Sequence, residues 1–296
     1  MNAQRLQGTL FCLLALPMAL AASAVSHSAP QIGVILPAVM IAVFGIPHGA
    51  LDPIFADRLY GIRSLWDWLR FGLIYLLLAA SVVAFWRVAP VWFLIGFLII
   101  SVLHFSGDPA EGTPSVSRLL YAGAIIILPG FLHQGEMARL FGQLIGSGPA
   151  QGLSAGLTWL AWPWAISLVL AALECWRRDR LTALEMISTG LLAVLFPPLV
   201  SFTIFFCGMH SARHIIRTVA YAGRSPLRVL MSAALLPLAG TGLLFAVAWH
   251  FLKNTPADAR VLQIVFIGLA ALTVPHMLLV ERVRLSGWSK IPPPPC

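Results

Sequence analysis

The sequence predicts an all-α membrane protein, a polytopic helical bundle of about ten spans. Of its 296 residues, 59% are hydrophobic and only 10% are charged. Soluble domains carry roughly 25% charged residues, so this composition cannot cover a water-facing surface. The apolar runs are long enough for membrane helices and lack the alternation that is typical of a β-barrel. The composition therefore excludes a sizeable soluble domain.

Proline, glycine and charged residues divide the apolar runs into ten predicted spans. A helix rises about 1.5 Å per residue, so the longer runs can cross a bilayer, while the shorter ones would tilt little or re-enter. The predicted spans are residues 9–25, 32–47, 71–86, 91–105, 119–132, 153–173, 182–197, 198–216, 229–251 and 261–280.

The chain divides into three segments by this pattern. Residues 1–30 form a first membrane helix or a signal peptide, because one arginine precedes an apolar run and small residues. Residues 31–285 form the helical membrane catalytic domain, and residues 286–296, with four consecutive prolines, form a short extended tail. With either interpretation of residues 1–30, the next segment enters the membrane from outside.

Positive charge gathers on one side of the predicted bundle. With the N-terminus in the cytoplasm, fifteen of the nineteen Lys and Arg residues lie inside, and the outer side keeps Arg87, Arg139, Lys253 and Arg260. This bias is typical of cytoplasmic loops. The basic residues are scattered singly at the ends of apolar runs, which excludes a nucleic-acid-binding surface as the reason for the net charge of +8.

The same rule supports the division at Pro197-Pro198. Treating residues 182–216 as one span would place four arginines, at its end and after it, on the outer side of the membrane. These residues are Arg213, Arg217, Arg224 and Arg228. The charge rule therefore favours two spans here.

Five histidines lie at one predicted depth, near the cytoplasmic ends of even-numbered spans. His48 and His104 end the second and fourth spans, His210 and His214 end the eighth, and His276 lies about one turn from the end of the tenth. His210 and His214, in FFCGMHSARHIIR, are one helical turn apart, a spacing that puts both rings on one side. Such a pair binds metal or, alternatively, lies at the interface bonded to backbone or lipid headgroups.

Two of these histidines are followed by an aspartate four residues later, His48 by Asp52 and His104 by Asp108. A carboxylate at that spacing can accept a ring N–H and orient the imidazole for metal binding. The alternative is an ordinary helix end at each place. Ionisable groups in membrane helices are costly and indicate function, so four histidines from three helices favour a metal site.

His276, which follows Pro275, has three candidate roles. It could bind the metal, donate a hydrogen bond to a metal ligand, or serve as a structural residue beside a proline kink. We favour the second or third. Aromatic residues in apolar helices usually serve packing, but three near the histidines are candidates to line a hydrophobic slot for substrate. They are Phe105, Phe205 and Phe206.

A ligand set of imidazoles suits iron, copper, zinc or nickel. Four neutral imidazoles leave an octahedral ion two open positions, which suits ferrous iron activating dioxygen, whereas zinc sites close at four or keep one open position. The chain has no HExxH motif for a zinc protease and no HxxHH runs for a membrane di-iron desaturase.

Four motifs in order, GIPHGALD, LHFSGD, FFCGMHSARH and VPHMLLVE, span about residues 40–284. Together they resemble the Brp/Blh family of membrane β-carotene 15,15′-dioxygenases, which are associated with microbial rhodopsins. The resemblance implies cleavage of the central double bond of β-carotene by dioxygen to give two molecules of all-trans-retinal. It also implies non-haem Fe²⁺ held by His48, His104, His210 and His214, with Asp52 as the acidic partner of the first.

The resemblance further implies a multi-pass protein of a bacterial inner membrane with its iron near the cytoplasmic face. The partners would be β-carotene, dioxygen, the lipid bilayer and a microbial rhodopsin that accepts retinal, with no nucleic acid. The carotenoid, dissolved in the bilayer, would enter between helices through an apolar tunnel.

The residues alone leave other classes open. A haem- or copper-binding redox protein would also use facing histidines. An ion-coupled transporter would use Asp52, Asp108 and His276 in helices broken by Gly and Pro. A structural or assembly role beside a rhodopsin is the third alternative.

Overall fold

A computed structural model describes residues 2–28, 32–223 and 234–285, without the side chains at positions 26, 27, 32, 46–48 and 285. The predicted tail, residues 286–296, and the start of the ninth predicted span therefore lie outside the described residues. So does the side chain of His48.

All regular secondary structure in the described ranges is helical, which confirms the predicted all-α class. The helices are α1 Ala3–Ser28, α2 Ile32–Gly49, α3 Asp52–Tyr60, α4 Leu65–Val88, α5 Pro90–Phe105, α6 Ser115–Ile127, α7 Gln134–Ile145, α8 Ser147–Trp176, α9 Arg180–Leu195, α10 Pro198–Ile204, α11 Ala212–Ala222, α12 Leu235–Phe251 and α13 Ala257–Leu285. A 3₁₀ turn, Leu128–Phe131, follows α6, and a π-helical segment, Phe205–Ser211, joins α10 to α11.

Every predicted span coincides with one or more of these helices, but the number of membrane crossings stays a prediction. Five helical stretches of the described chain are long and apolar enough to cross a membrane, or six if the bent pair α6–α7 counts as one span. The shorter apolar helices include α5 and α12. Helix α4 has no buried residue, as expected of a helix that faces lipid.

The predicted division at Pro197-Pro198 is confirmed as a break between helices. Helix α9 ends at Leu195 and α10 begins at Pro198, because proline has no N–H to continue the α9 ladder. The hydroxyl of Ser201 lies 2.8 Å from the carbonyl of Leu192 and 3.0 Å from that of Phe196, so its one proton is shared between two carbonyls at the end of α9.

Two helices lie where the sequence indicated only connections between spans. Helix α3 follows α2 directly, and α7 lies at 109° to the preceding α6 segment. The backbone of α7 accepts two side-chain hydrogen bonds, from Trp86 Nε1 to Leu144 at 2.9 Å and from Gln263 Nε2 to Gln143 at 2.8 Å. These bonds fix α7 across the end of the bundle.

The core is built around α6, α8 and α9, with α1 packed beside α9 through Phe11, Ala15 and Ala19, all buried. Helices α6 and α8 approach closely at Gly123, where a Cβ atom would overlap the indole of Trp164. The Trp164 indole N–H donates to the carbonyl of Leu120 at 2.9 Å, so the ring cannot swing away without losing a hydrogen bond.

We expect Gly123→Ala to destabilise the bundle by roughly 1–3 kcal/mol, the usual cost of overpacking. Gly96→Ala in α5 is the matched control, because a Cβ atom there meets no other atom within 4 Å. Alanine at Gly96 should leave stability unchanged or raise it by about 0.5–1 kcal/mol. Thermal unfolding of the two purified variants in detergent measures the difference, and equal midpoints would show that the contact with Trp164 does not limit α6–α8 packing.

Candidate metal centre and apolar cleft

Four buried imidazole rings from three regions of the chain lie in contact. Ring centroids are 4.6 Å apart for His210 and His104, 5.1 Å for His104 and His276, and 5.0 Å for His276 and His214. Among the described residues these contacts run in the order His210, His104, His276, His214. We call these four residues the histidine cluster; each is at most 7% exposed.

The structure thus brings together three of the four predicted ligands, His104, His210 and His214. The fourth, His48, lies near the C-terminal end of α2, and α2 packs against the π-helical segment and α13. Because its side chain lies outside the described residues, its place in the site stays a prediction. His276 lies inside the row, between His104 and His214.

His210 lies in the π-helical segment, and α1 supports this segment. The Gln7 amide of α1 donates to the carbonyl of Gly208 at 2.7 Å. A π-turn widens the helix by one residue and is frequent at functional sites. Among the described rings the two members of the i, i+4 pair have different neighbours: His210 contacts His104, and His214 contacts His276.

Asp52 holds His276, although the sequence suggested His48 as its partner. Oδ1 of Asp52 lies 2.6 Å from Nδ1 of His276, and Oδ2 accepts the hydroxyl of Tyr75 at 2.8 Å. Both carboxylate oxygens are therefore engaged by α4 and α13. Asp52 is the first residue of α3, so its side chain leaves the α2 axis along which the four-residue spacing was counted.

Asp108 contacts His210, rather than His104, which precedes it by four residues. Both carboxylate oxygens lie 3.1 Å from Nδ1 of His210. The pairing with His104 assumed a helix through Asp108, but α5 ends at Phe105. The N–H of Gly107 bonds the carbonyl of His104 in a turn, which redirects Asp108 toward the π-helical segment.

Two arginines fix the backbone of that turn. Arg213 Nη1 and Arg217 Nη2 donate to the carbonyl of Asp108 at 3.0 and 2.8 Å, and Arg217 Nη1 donates to Gly107 at 2.7 Å. Arg213 is itself paired with Glu185, with contacts of 3.0 and 2.5 Å between buried side chains. Sequence reasoning treated these arginines only as markers of the inner side, so it missed their support of the site.

Phe105 and Phe206 cover His210. The Phe105 ring meets the His210 ring edge-on at 4.6 Å, and Phe206 stacks on it at 5.7 Å. Phe205 contacts Phe105 at 5.2 Å rather than a histidine. Phe206 packs against Gly45 of α2, where any Cβ atom would overlap its ring. All three predicted phenylalanines are buried, and Phe105 and Phe206 each contact both His210 and Phe202, which lines an apolar cleft.

The apolar cleft contains about 730 Å³ of space not filled by atoms, part of it open to the outside. Two helices that line it also carry histidines of the cluster, α5 through Leu94, Leu98 and Ser101, and α13 through Phe266. Helix α10 lines it through Phe202 and leads directly into the π-helical segment that carries His210. The residues of α6, the 3₁₀ turn and α7 that complete the lining are apolar as well. Phe202 stacks on Phe206 at 5.4 Å, which links the cleft to His210.

The donor set fits a transition metal that prefers nitrogen ligands. An imidazole bound at about 2.1 Å has its centroid roughly 3.2 Å from the metal. Two imidazoles that subtend a right angle at the metal then have centroids about 4.5 Å apart, and two at a tetrahedral angle about 5.2 Å apart. The measured separations, 4.6–5.1 Å, fall in this interval. As the described side chains stand, no three His, Cys, Asp or Glu residues among them form a closed metal site.

Fold and site together define an all-α membrane protein with a buried imidazole cluster at the end of an apolar cleft. Residues 39–283 match the family model described as beta-carotene 15,15′-dioxygenase. The chain belongs to this family, as its motifs indicated.

Two curated relatives cover most of the chain. It is 32% identical over 260 residues to a beta-carotene 15,15′-dioxygenase from an uncultured marine bacterium, 66A03, covering 85% of this chain and 94% of the relative. It is 27% identical over 290 residues to a probable beta-carotene 15,15′-dioxygenase Blh from Halobacterium salinarum, covering 82% of each. No solved structure matches the chain significantly.

We expect Glu185→Ala to lower the free energy of unfolding by about 3–5 kcal/mol, because it leaves the Arg213 guanidinium buried without its carboxylate. Glu174→Ala is the control, since the Glu174–Arg178 pair is more than half exposed and contributes little. Chemical unfolding in detergent compares the two variants. Equal losses would show that the buried pair does not stabilise the turn around Asp108.

Proposed function

We propose that the protein cleaves the central 15,15′ double bond of β-carotene with dioxygen, giving two molecules of all-trans-retinal, at a non-haem Fe²⁺ site. One β-carotene and one dioxygen account for both products, since each carbon of the broken double bond gains one oxygen atom. The observation that supports this most directly is the row of buried imidazoles at the end of an apolar cleft, in a chain of this family.

His48, His104, His210 and His214 are the proposed iron ligands. The iron, when bound, supplies the activation of dioxygen, which apolar side chains cannot provide. Asp108 accepts the Nδ1 proton of His210 and so fixes the tautomer and orientation of the ring. Arg213 and Arg217 hold the backbone of Asp108, so the carboxylate keeps its position within the turn.

The cleft is the proposed site for one half of the carotenoid. Leu94 lies at the far end of the α5 lining, ten residues from His104. Ten residues of helix extend about 15 Å, a length comparable to half of an extended C40 carotenoid. An apolar lining binds the hydrocarbon by burial of surface, at about 25 cal/mol per Å². Its position on the same helices as the histidines would bring the centre of the polyene to the iron.

The lipid bilayer supplies the substrate in this proposal. The cleft is partly open, and exposed apolar side chains such as Ile99 lie beside its lining on α5. The distribution of Lys and Arg supports placing the iron near the cytoplasmic face, and a bacterial inner membrane is the proposed location. A microbial rhodopsin is the proposed acceptor of retinal.

Coexpression in a β-carotene-accumulating bacterium tests the activity, with extracted pigments resolved by chromatography. We expect β-carotene to fall and retinal to appear. His48→Ala, His104→Ala, His210→Ala and His214→Ala should each reduce retinal by more than about 100-fold, since losing a ligand costs more than losing a residue behind it. Membrane insertion should be unchanged.

His250→Ala is the control, because His250 is exposed at the end of α12 and should be dispensable. Full retinal formation in any one of the four variants would remove that residue from the ligand set. Unchanged β-carotene with the wild-type chain verified in the membrane and loaded with iron would contradict the proposed substrate. A haem absorption band in the purified protein would favour the redox alternative, and ion-driven uptake by metal-free protein would favour a transporter.

Leu98→Trp should reduce cleavage of β-carotene by about 5- to 150-fold by filling the cleft, because overpacking of roughly 1–3 kcal/mol opposes binding. The iron content should not change. Ile99→Trp is the matched control, since Ile99 is the next residue of α5 and is 56% exposed. Retinal is measured in membranes that contain equal amounts of each variant. Equal activity of both variants would show that the substrate does not occupy this cleft.

A further inference from the structure

We infer that His276 is itself a ligand of the metal centre, in addition to the four histidines that the motifs indicate. This inference rests on the proposed metal site. Within the described residues, His276 is the ring that connects His214 to the rest of the cluster: its centroid lies 5.0 Å from that of His214 and 5.1 Å from that of His104. A metal that binds both His104 and His214 would therefore lie beside the ring of His276.

The orientation of these rings is compatible with coordination of one ion. The His276 ring is inclined at 89° to His104 and at 71° to His214. Rings that converge on one ion point toward a common centre from different directions, as these inclined rings can. The separations of about 5 Å match those expected for neighbouring imidazoles on one metal, between right-angle and tetrahedral arrangements.

His276 also has the hydrogen bonding typical of a metal-bound histidine. Its Nδ1 lies 2.6 Å from Asp52, which accepts the Tyr75 hydroxyl at 2.8 Å. A carboxylate behind a ligating histidine fixes its tautomer and raises its basicity. Asp108 does the same for His210, a proposed ligand, also through Nδ1. His276 would thus bind through Nε2, with Asp52 and Tyr75 as positioning residues.

A purely structural role for His276 beside Pro275 explains less. A kink in α13 requires neither a buried aspartate from α3 nor a tyrosine from α4. Both side chains of the Asp52–His276 pair are at most 3% exposed, and burying such polar groups is costly unless they serve a bound ion or a hydrogen-bond network. The network ends at the centre of the histidine cluster, which is where a metal would bind.

Titration of the purified, metal-free full chain with Co²⁺ tests this inference without depending on catalysis. We expect His276→Gln to weaken Co²⁺ binding by about 10–100-fold and to change the visible ligand-field spectrum. In His276→Ala, added imidazole should restore the wild-type spectrum, because it can occupy the vacated position. His250→Gln is the control and should behave as wild type.

Co²⁺ affinity within twofold of wild type and an unchanged spectrum in folded His276→Gln would overturn the inference. If that variant does not fold, Asp52→Asn and Tyr75→Phe replace it, since both preserve side-chain shape; unchanged spectra in both would overturn it equally. Failure of the wild-type chain to bind Co²⁺ would reject the proposed metal centre as well. Binding of Co²⁺ without carotenoid cleavage in the pigment assay would reject the proposed activity alone.

Discussion

The contact between the Asp108 carboxylate and Nδ1 of His210 joins the turn after α5 to the π-helical segment, and the organisation of the site depends on it. Buried Arg213 and partly buried Arg217 hold the backbone carbonyl of Asp108, and Glu185 balances the charge of Arg213. Because an unpaired buried charge is costly, these groups stabilise the site only as a complete set. The arrangement fixes His210 beside His104 while the surrounding helices provide only apolar surface.

The helices of this region present an apolar cleft toward one end and imidazole rings toward the other. Toward one end, α5, α10 and α13 present apolar side chains to the cleft; toward the other, α5, α13 and the segment continuing α10 present imidazoles. Phe105 and Phe206 lie between, so a hydrocarbon in the cleft would reach the metal through an aromatic rather than an aqueous boundary. Excluding water there protects oxygen chemistry from side reactions.

The arginines near the site show that one residue can satisfy two constraints. Arg213 and Arg217 contribute to the positive charge that predicts the cytoplasmic side, yet both donate hydrogen bonds to the turn that carries Asp108. The same arginines therefore contribute to the charge pattern and hold the turn whose aspartate contacts His210 of the histidine cluster.

Much of this protein follows from local sequence. Apolar runs predict the helices, because backbone groups in lipid must bond within each helix, and the motifs around His104, His210 and His214 predict residues that do meet. The partners of the aspartates could not be predicted the same way. Counting four residues assumes an unbroken helix, whereas α5 ends at Phe105, α3 begins at Asp52 and a π-turn shifts His210. The central position of His276 and the support from Tyr75 arise from packing between α4, α3 and α13, which join residues more than 190 positions apart. Such contacts are decided only by tertiary structure, because the sequence spacing of distant residues carries no information about their distance in space.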